Sequence, residues 1–152
     1  MHLVTYLAFQ QESERALGGS FGVVSYGHTG EADVHWTTGT FAQQCAAHAE
    51  ALGPILARCP APDEPVPERL HAQGMTSVRS GPAGLLRDLQ DLYQLVNLVD
   101  ITWSLIGQAS QAARDRDLLA VGLRCAEQTT AQLDWLRMRM KAAAPQTLLV
   151  AT

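Results

Sequence analysis

Apolar residues recur at three- and four-residue spacing through most of the chain, which is the period of an α-helix and not of a strand. Leu3, Leu7, Leu17, Phe21 and Val24 fall on one face and predict a helix over 3–26. The Gly18-Gly19 pair inside it is weak helix material and a place for a bend. A second stripe, Phe41, Cys45, Leu52 and Leu56, predicts a helix over 31–58. Thr37-Thr38-Gly39 is poor material for its opening turns, and Pro54 should kink its last turns by clashing with the carbonyl four residues back. Leu85, Leu89, Leu92, Val96, Val99, Trp103 and Ile106 predict a third helix over 82–113, opening on Gly81-Pro82, where a proline loses no hydrogen bond. The polar turn Arg114-Asp115-Arg116-Asp117 offers two capping aspartates for a fourth helix. That helix, over 116–143, carries Leu119, Leu123, Ala126, Leu133 and Leu136 and should stop at Pro145. The remainder, from Gln146 to Thr152, reads as an apolar extended tail, with Leu148-Leu149-Val150 as a docking element.

The connections order these helices. Short links around Gly27 to Gly30 and around Arg114 make helices one and two, and three and four, antiparallel neighbours. Between helices two and three lies the crossover 59–80, from Cys59 to Ser80, with Pro60, Pro62, Pro65 and Pro67. A helix of about 28 residues is ~42 Å long, and a link of about 22 residues at ~3.3 Å each can run back along it. The expected architecture is one all-α four-helix-bundle domain over 1–152 with a long crossover between helices two and three.

Polar residues interrupt each stripe near the middle of its helix. Helix one carries Gln10 and Glu14, helix two Cys45 and His48, helix three Asp100, and helix four Glu127-x-x-Thr130. In the predicted bundle these fall within about four residues of one height, or ~6 Å along the axis. A buried carboxylate beside a buried imidazole satisfies both groups, and such a layer can fix the register of a bundle. A single metal held by His48 and core carboxylates is the competing reading, since imidazole with carboxylates suits iron, manganese or zinc.

The stretches Phe41-Ala-Gln-Gln-Cys-Ala-Ala-His48 and Cys125-Ala-Glu-Gln-Thr-Thr-Ala-Gln-Leu-Asp-Trp-Leu136 are similar to the metal-bearing helices of the ferritin-like superfamily. With the single long crossover, the chain resembles a bacterial ferritin-like four-helix bundle whose metal motif has drifted. The resemblance implies a bundle that often dimerises, and a di-iron site of four carboxylates and two histidines. This chain offers Glu14, Asp100 and Glu127 with His48. Where a Glu-x-x-His belongs, helix two has Cys45-x-x-His48 and helix four has Glu127-x-x-Thr130, and threonine is a poor replacement for imidazole.

Composition narrows the function classes. The 152 residues are 47% hydrophobic and 17% charged, with a net charge of −4. The first 76 residues hold three Lys/Arg against eight Asp/Glu and the rest eight against seven, so neither half has a phosphate-binding surface. Nucleic acid is not an expected partner. The segment from Leu92 to Ile106 is too short and too polar to span a bilayer, so no membrane is expected either. Cys45, Cys59 and Cys125 show no Cys-x-x-Cys pairing and the N-terminus lacks a signal pattern, which fits free thiols in the cytoplasm. No motif for nucleophilic catalysis is present. His2, His28, His35 and His71 read as surface or loop residues, Trp103 and Trp135 as packing, and Arg137, Arg139 and Lys141 as complements of the helix dipole.

Three functions follow as expectations. The first is a non-catalytic ferritin-like bundle without a cofactor, acting in binding or assembly, including in stress physiology, as a homodimer or with a protein partner. The second is a mononuclear metalloprotein or oxidase using Glu14, His48, Asp100 and Glu127, with Cys45 as a neighbouring or ligand thiol. The third is a binder of a small organic ligand in the bundle core.

Overall fold

The computed structural model describes residues 2–62 and 72–151. Pro65, Pro67 and His71 of the crossover, and the terminal Thr152, lie outside the described residues. Four helices form where the apolar period predicts them: α1 His2–Gly27, α2 Ala32–Ala57, α3 Gly84–Ala112 and α4 Arg116–Pro145. They make an all-α four-helix bundle, with no strand among the described residues. Helix α1 packs on α2 and α3, and α4 packs on α3 and α2.

The ends show the direction of each helix. Arg58 beyond the end of α2 reaches Asp115 at the start of α4 at 2.6 Å, and Arg139 near the end of α4 reaches Glu31 and Asp33 at the start of α2. These pairs make α2 and α4 antiparallel. His28, just after α1, meets Asp88 in the first turns of α3, so α1 and α3 are antiparallel as well. The described end of the crossover climbs along α1: a side chain at Gly74 would lie 3.3 Å from the Ala16 carbonyl, Met75 N–H donates to Ser20 Oγ, and Val78 packs on Gly27. The chain thus returns the length of the bundle before α3 begins, which is compatible with a ferritin-like fold.

Packing of large against small side chains holds the helices. Leu17, Phe21, Leu52, Leu89, Val96, Trp103 and Leu136 are buried, each contributing about 1.5–3 kcal/mol through burial. The Phe21 and Phe41 rings meet edge to face at 5.3 Å. Gly18 does not interrupt α1; it lets α1 approach α2, since a Cβ there would stand 3.1 Å from that of Cys45. Gly84 plays the same part at the start of α3, where a Cβ would lie 2.5 Å from the Arg79 carbonyl oxygen. Gly81, with φ +85°, turns the crossover into α3 and delays the helix to Gly84. Among the described residues, no helix is long and apolar enough to cross a membrane.

Two local expectations are corrected. The Thr37-Thr38-Gly39 stretch is fully helical, with Thr38 Oγ1 donating to the Val34 carbonyl at 2.6 Å. Helix α4 ends at Pro145 as expected, but the tail beyond it is not extended. Pro145 removes one N–H from the ladder, and the chain continues as a wider π-helical turn over Gln146–Val150, closed by Ala151 N–H on the Gln146 carbonyl. The tail is therefore helical, with Leu148, Leu149 and Val150 exposed.

Of the two candidate caps, Asp115 is the one used: its carboxylate accepts from Leu118 N–H at 3.1 Å. That bond holds the carboxyl below the ordinary carboxylate range; partial burial works against it and Arg58 adds to it. Asp115→Ala is expected to cost about 1 kcal/mol in urea unfolding. Because the folded value is the lower one, the gap between wild type and variant persists above about pH 4. It closes as pH falls through the depressed folded value.

Candidate functional site

The polar residues of the stripes meet in one layer across the middle of the bundle. Helix α1 contributes Gln10 and Glu14, both fully buried. Glu14 Oε1 accepts two hydrogen bonds, from Trp103 Nε1 at 2.7 Å and from His48 Nδ1 at 3.0 Å. The carboxylate therefore joins α1, α2 and α3 at a single oxygen. The imidazole of His48, 2% exposed, stands at 89° to the Trp103 ring. Its other nitrogen, Nε2, lies 2.6 Å from Gln128 Oε1 on α4.

This geometry admits two hydrogen-bond patterns. With the Gln128 oxygen toward Nε2, both ring nitrogens face oxygen acceptors, which suits an imidazolium donating twice. Turning the Gln128 amide over presents its NH2 to Nε2 and suits a neutral ring that donates only to Glu14. Either pattern uses both ring nitrogens on protein groups.

The rest of the layer is amide and thiol. Gln10 Nε2 donates to the Val99 carbonyl at 2.9 Å. Gln132, fully buried on α4, donates to Gln44 Oε1 at 3.1 Å and to Cys45 Sγ at 3.8 Å. Burial pushes the Cys45 thiol far up, and the neighbouring Glu14 carboxylate raises it further. The Cys125 thiol is pushed up to about 12 by burial and then by Glu14. Both remain protonated thiols at neutral pH, and a thiol, unlike a thiolate, is a poor nucleophile.

Of the residues proposed for metal, the structure brings Glu14, His48 and Cys45 together and leaves the other two outside. Asp100 on α3 is half-buried, and burial raises its carboxyl. Glu127 is exposed, because α4 is turned so that Gln128 and Gln132 face the centre. The di-iron ligand set implied by the ferritin-like resemblance does not fit this donor arrangement. One carboxylate replaces four, its Oε1 is shared by two N–H donors, and the single histidine has both nitrogens engaged. Among the described residues, no three His, Cys, Asp or Glu side chains are grouped to hold a metal ion.

Three members of the layer were not expected from sequence: Gln128, Gln132 and the Trp103 N–H. The sign of the two glutamines was the run Gly122, Cys125, Thr129, Gln132 and Leu136, which has helical spacing but almost no bulk. A second buried carboxylate, Asp88, also went unmarked. It accepts from His28 Nε2 at 2.7 Å, from Arg79 Nη1 at 2.8 Å and from the Arg79 backbone N–H. This cluster locks the crossover to α3 and leaves no carboxylate oxygen unpaired. Comparison with protein-family models, with curated proteins and with solved structures returns no match.

Proposed function

We propose that this chain is a ferritin-like bundle that has given up metal chemistry and acts as a non-catalytic binding or assembly protein, self-associating as a homodimer in the cytoplasm. One observation carries this reading: both ring nitrogens of His48 and Oε1 of Glu14 are spent on protein groups, with Glu14 Oε1 bridging His48 and Trp103. Association is supported by large apolar side chains at the surface, with Trp36 73% exposed, Leu123 63% and Leu149 85%. Exposed tryptophan of this kind is enriched where one protein meets another. The three cysteines are free, as a reducing compartment requires.

The test is elemental analysis of untagged protein produced with iron, manganese and zinc available, with dioxygen uptake and light scattering on the same sample. Absence of stoichiometric metal, no dioxygen uptake and a dimeric mass are expected. About one equivalent of metal, lost in His48→Ala while the helical spectrum is kept, would overturn the proposal in favour of a mononuclear metalloprotein.

A further inference from the structure

Three oxygens in the central layer have no hydrogen-bond partner among the described residues: Gln10 Oε1, Glu14 Oε2 and Gln132 Oε1. Each belongs to a side chain with no exposed surface. Buried polar groups of native proteins are almost always satisfied, and an unsatisfied one is costly. The protein's own donors nearby are already engaged. Gln10 Nε2 is held by Val99, Trp103 Nε1 and His48 Nδ1 by the other oxygen of Glu14, and Gln132 Nε2 by Gln44 and Cys45. Turning the Gln10 amide over would set its oxygen against the Val99 carbonyl, so rotation does not cure the deficit. The Cys45 thiol faces the Glu14 carboxylate but is a weak donor.

What the layer leaves unmet is therefore all of one kind. Among its fully buried described atoms it has acceptors to spare and no strong donor to spare. An anion or a ligand recognised through its carbonyls would find nothing to bind. A small molecule rich in O–H or N–H bonds would satisfy the oxygens without disturbing the bonds already made.

We propose that the centre of the bundle binds a small hydrogen-bond donor on Gln10, Glu14 and Gln132, with water and ammonium as the two sources of that chemistry. The proposal rests on the reading that the layer is not a metal site, and metal analysis of the same sample separates failure of that reading from failure of this one.

The experiment compares wild type with Gln10→Met and Gln132→Met, which keep side-chain length and remove one acceptor each. Water oxygen-17 relaxation dispersion counts long-lived internal waters. Thermal midpoints are measured in ammonium chloride and in potassium chloride at equal concentration, potassium being a cation of similar size without N–H bonds. At least one long-lived water in the wild type, with fewer in each variant, identifies water as the donor. A higher midpoint in ammonium than in potassium, lost in Gln132→Met, identifies ammonium. A wild type with no long-lived water and the same midpoint in both salts overturns the proposal, and that measurement needs no variant to fold. An equal rise in both salts over salt-free buffer also overturns it, because it marks a cation site indifferent to hydrogen-bond donation.

Discussion

Glu14→Ala is expected to lower the unfolding free energy by about 3–5 kcal/mol. Glu14 is fully buried, and its Oε1 is the acceptor for both the His48 imidazole and the Trp103 indole. Removing it leaves two N–H donors in the core, on side chains only 2% and 1% exposed, and neither can turn to water. A stranded donor costs about 1–3 kcal/mol, and the missing side chain adds a cavity term. Domains of this size are stable by about 5–15 kcal/mol, so the variant should be marginal. Glu14→Gln keeps the oxygen and the shape and should lose much less. A triple variant, Glu14→Leu with His48→Phe and Trp103→Phe, removes the partners together and should recover most of the loss, since apolar replacement of a whole buried set is often neutral. Urea unfolding followed by circular dichroism reads all three. If Glu14→Ala loses less than about 0.5 kcal/mol, within the range of an ordinary surface substitution, the polar layer does not hold the bundle together.

The same layer shows where the sequence was legible and where it was not. Helices α1 and α3 announce their buried faces through large apolar residues, and the expected Leu7, Leu17, Phe21, Leu89, Val96 and Trp103 are all buried. The long crossover follows from the proline-rich gap between α2 and α3, because no short link can be made from it. Helix α4 was read about one residue out of phase. Leu136 is buried as expected, but Leu123 faces solvent and Leu119 is only half-buried, while Leu118, Gly122, Cys125, Thr129 and Gln132 face the core. Trp103 packs opposite, its ring at ordinary contact distance, 3.9 Å, from where a side chain at Gly122 would begin, so a small residue there leaves room for the indole. A search for apolar bulk cannot find a face selected for small size. That rotation moves Glu127 outward and brings Gln128 and Gln132 inward, so the carboxylates read as ligands were separated and two amides replaced them. Glu14 and His48 were found because α1 and α2 carry them between large apolar neighbours on well-marked stripes. Trp103 was read as packing alone, since nothing in a sequence tells which way an indole N–H will point.

Asp88→Ala is expected to cost about 2–3 kcal/mol and to loosen one end of the bundle while leaving the central layer intact. Asp88 has no exposed surface, yet it ties together three separate stretches of chain: His28 after α1, Arg79 at the end of the crossover, and α3 itself. Its loss strands the His28 ring and the Arg79 backbone N–H, for neither of which another acceptor is present among the described residues. The Arg79 guanidinium is a different matter. Its side chain is 45% exposed and also reaches Asp91 at 2.7 Å, so it can return to water or to its second partner. Arg79→Ala should accordingly cost much less than Asp88→Ala, because an exposed ion pair contributes little. Hydrogen exchange supplies the spatial test. In Asp88→Ala, amides of the described crossover end and the first turn of α3 should exchange faster, while those around Glu14 and His48 keep their protection relative to global unfolding. Uniform acceleration across all four helices would mean that Asp88 supports the bundle as a whole. Faster exchange confined to residues 72–88 and the His28 turn would mark the carboxylate as the clasp that lets a long crossover end in register with α3.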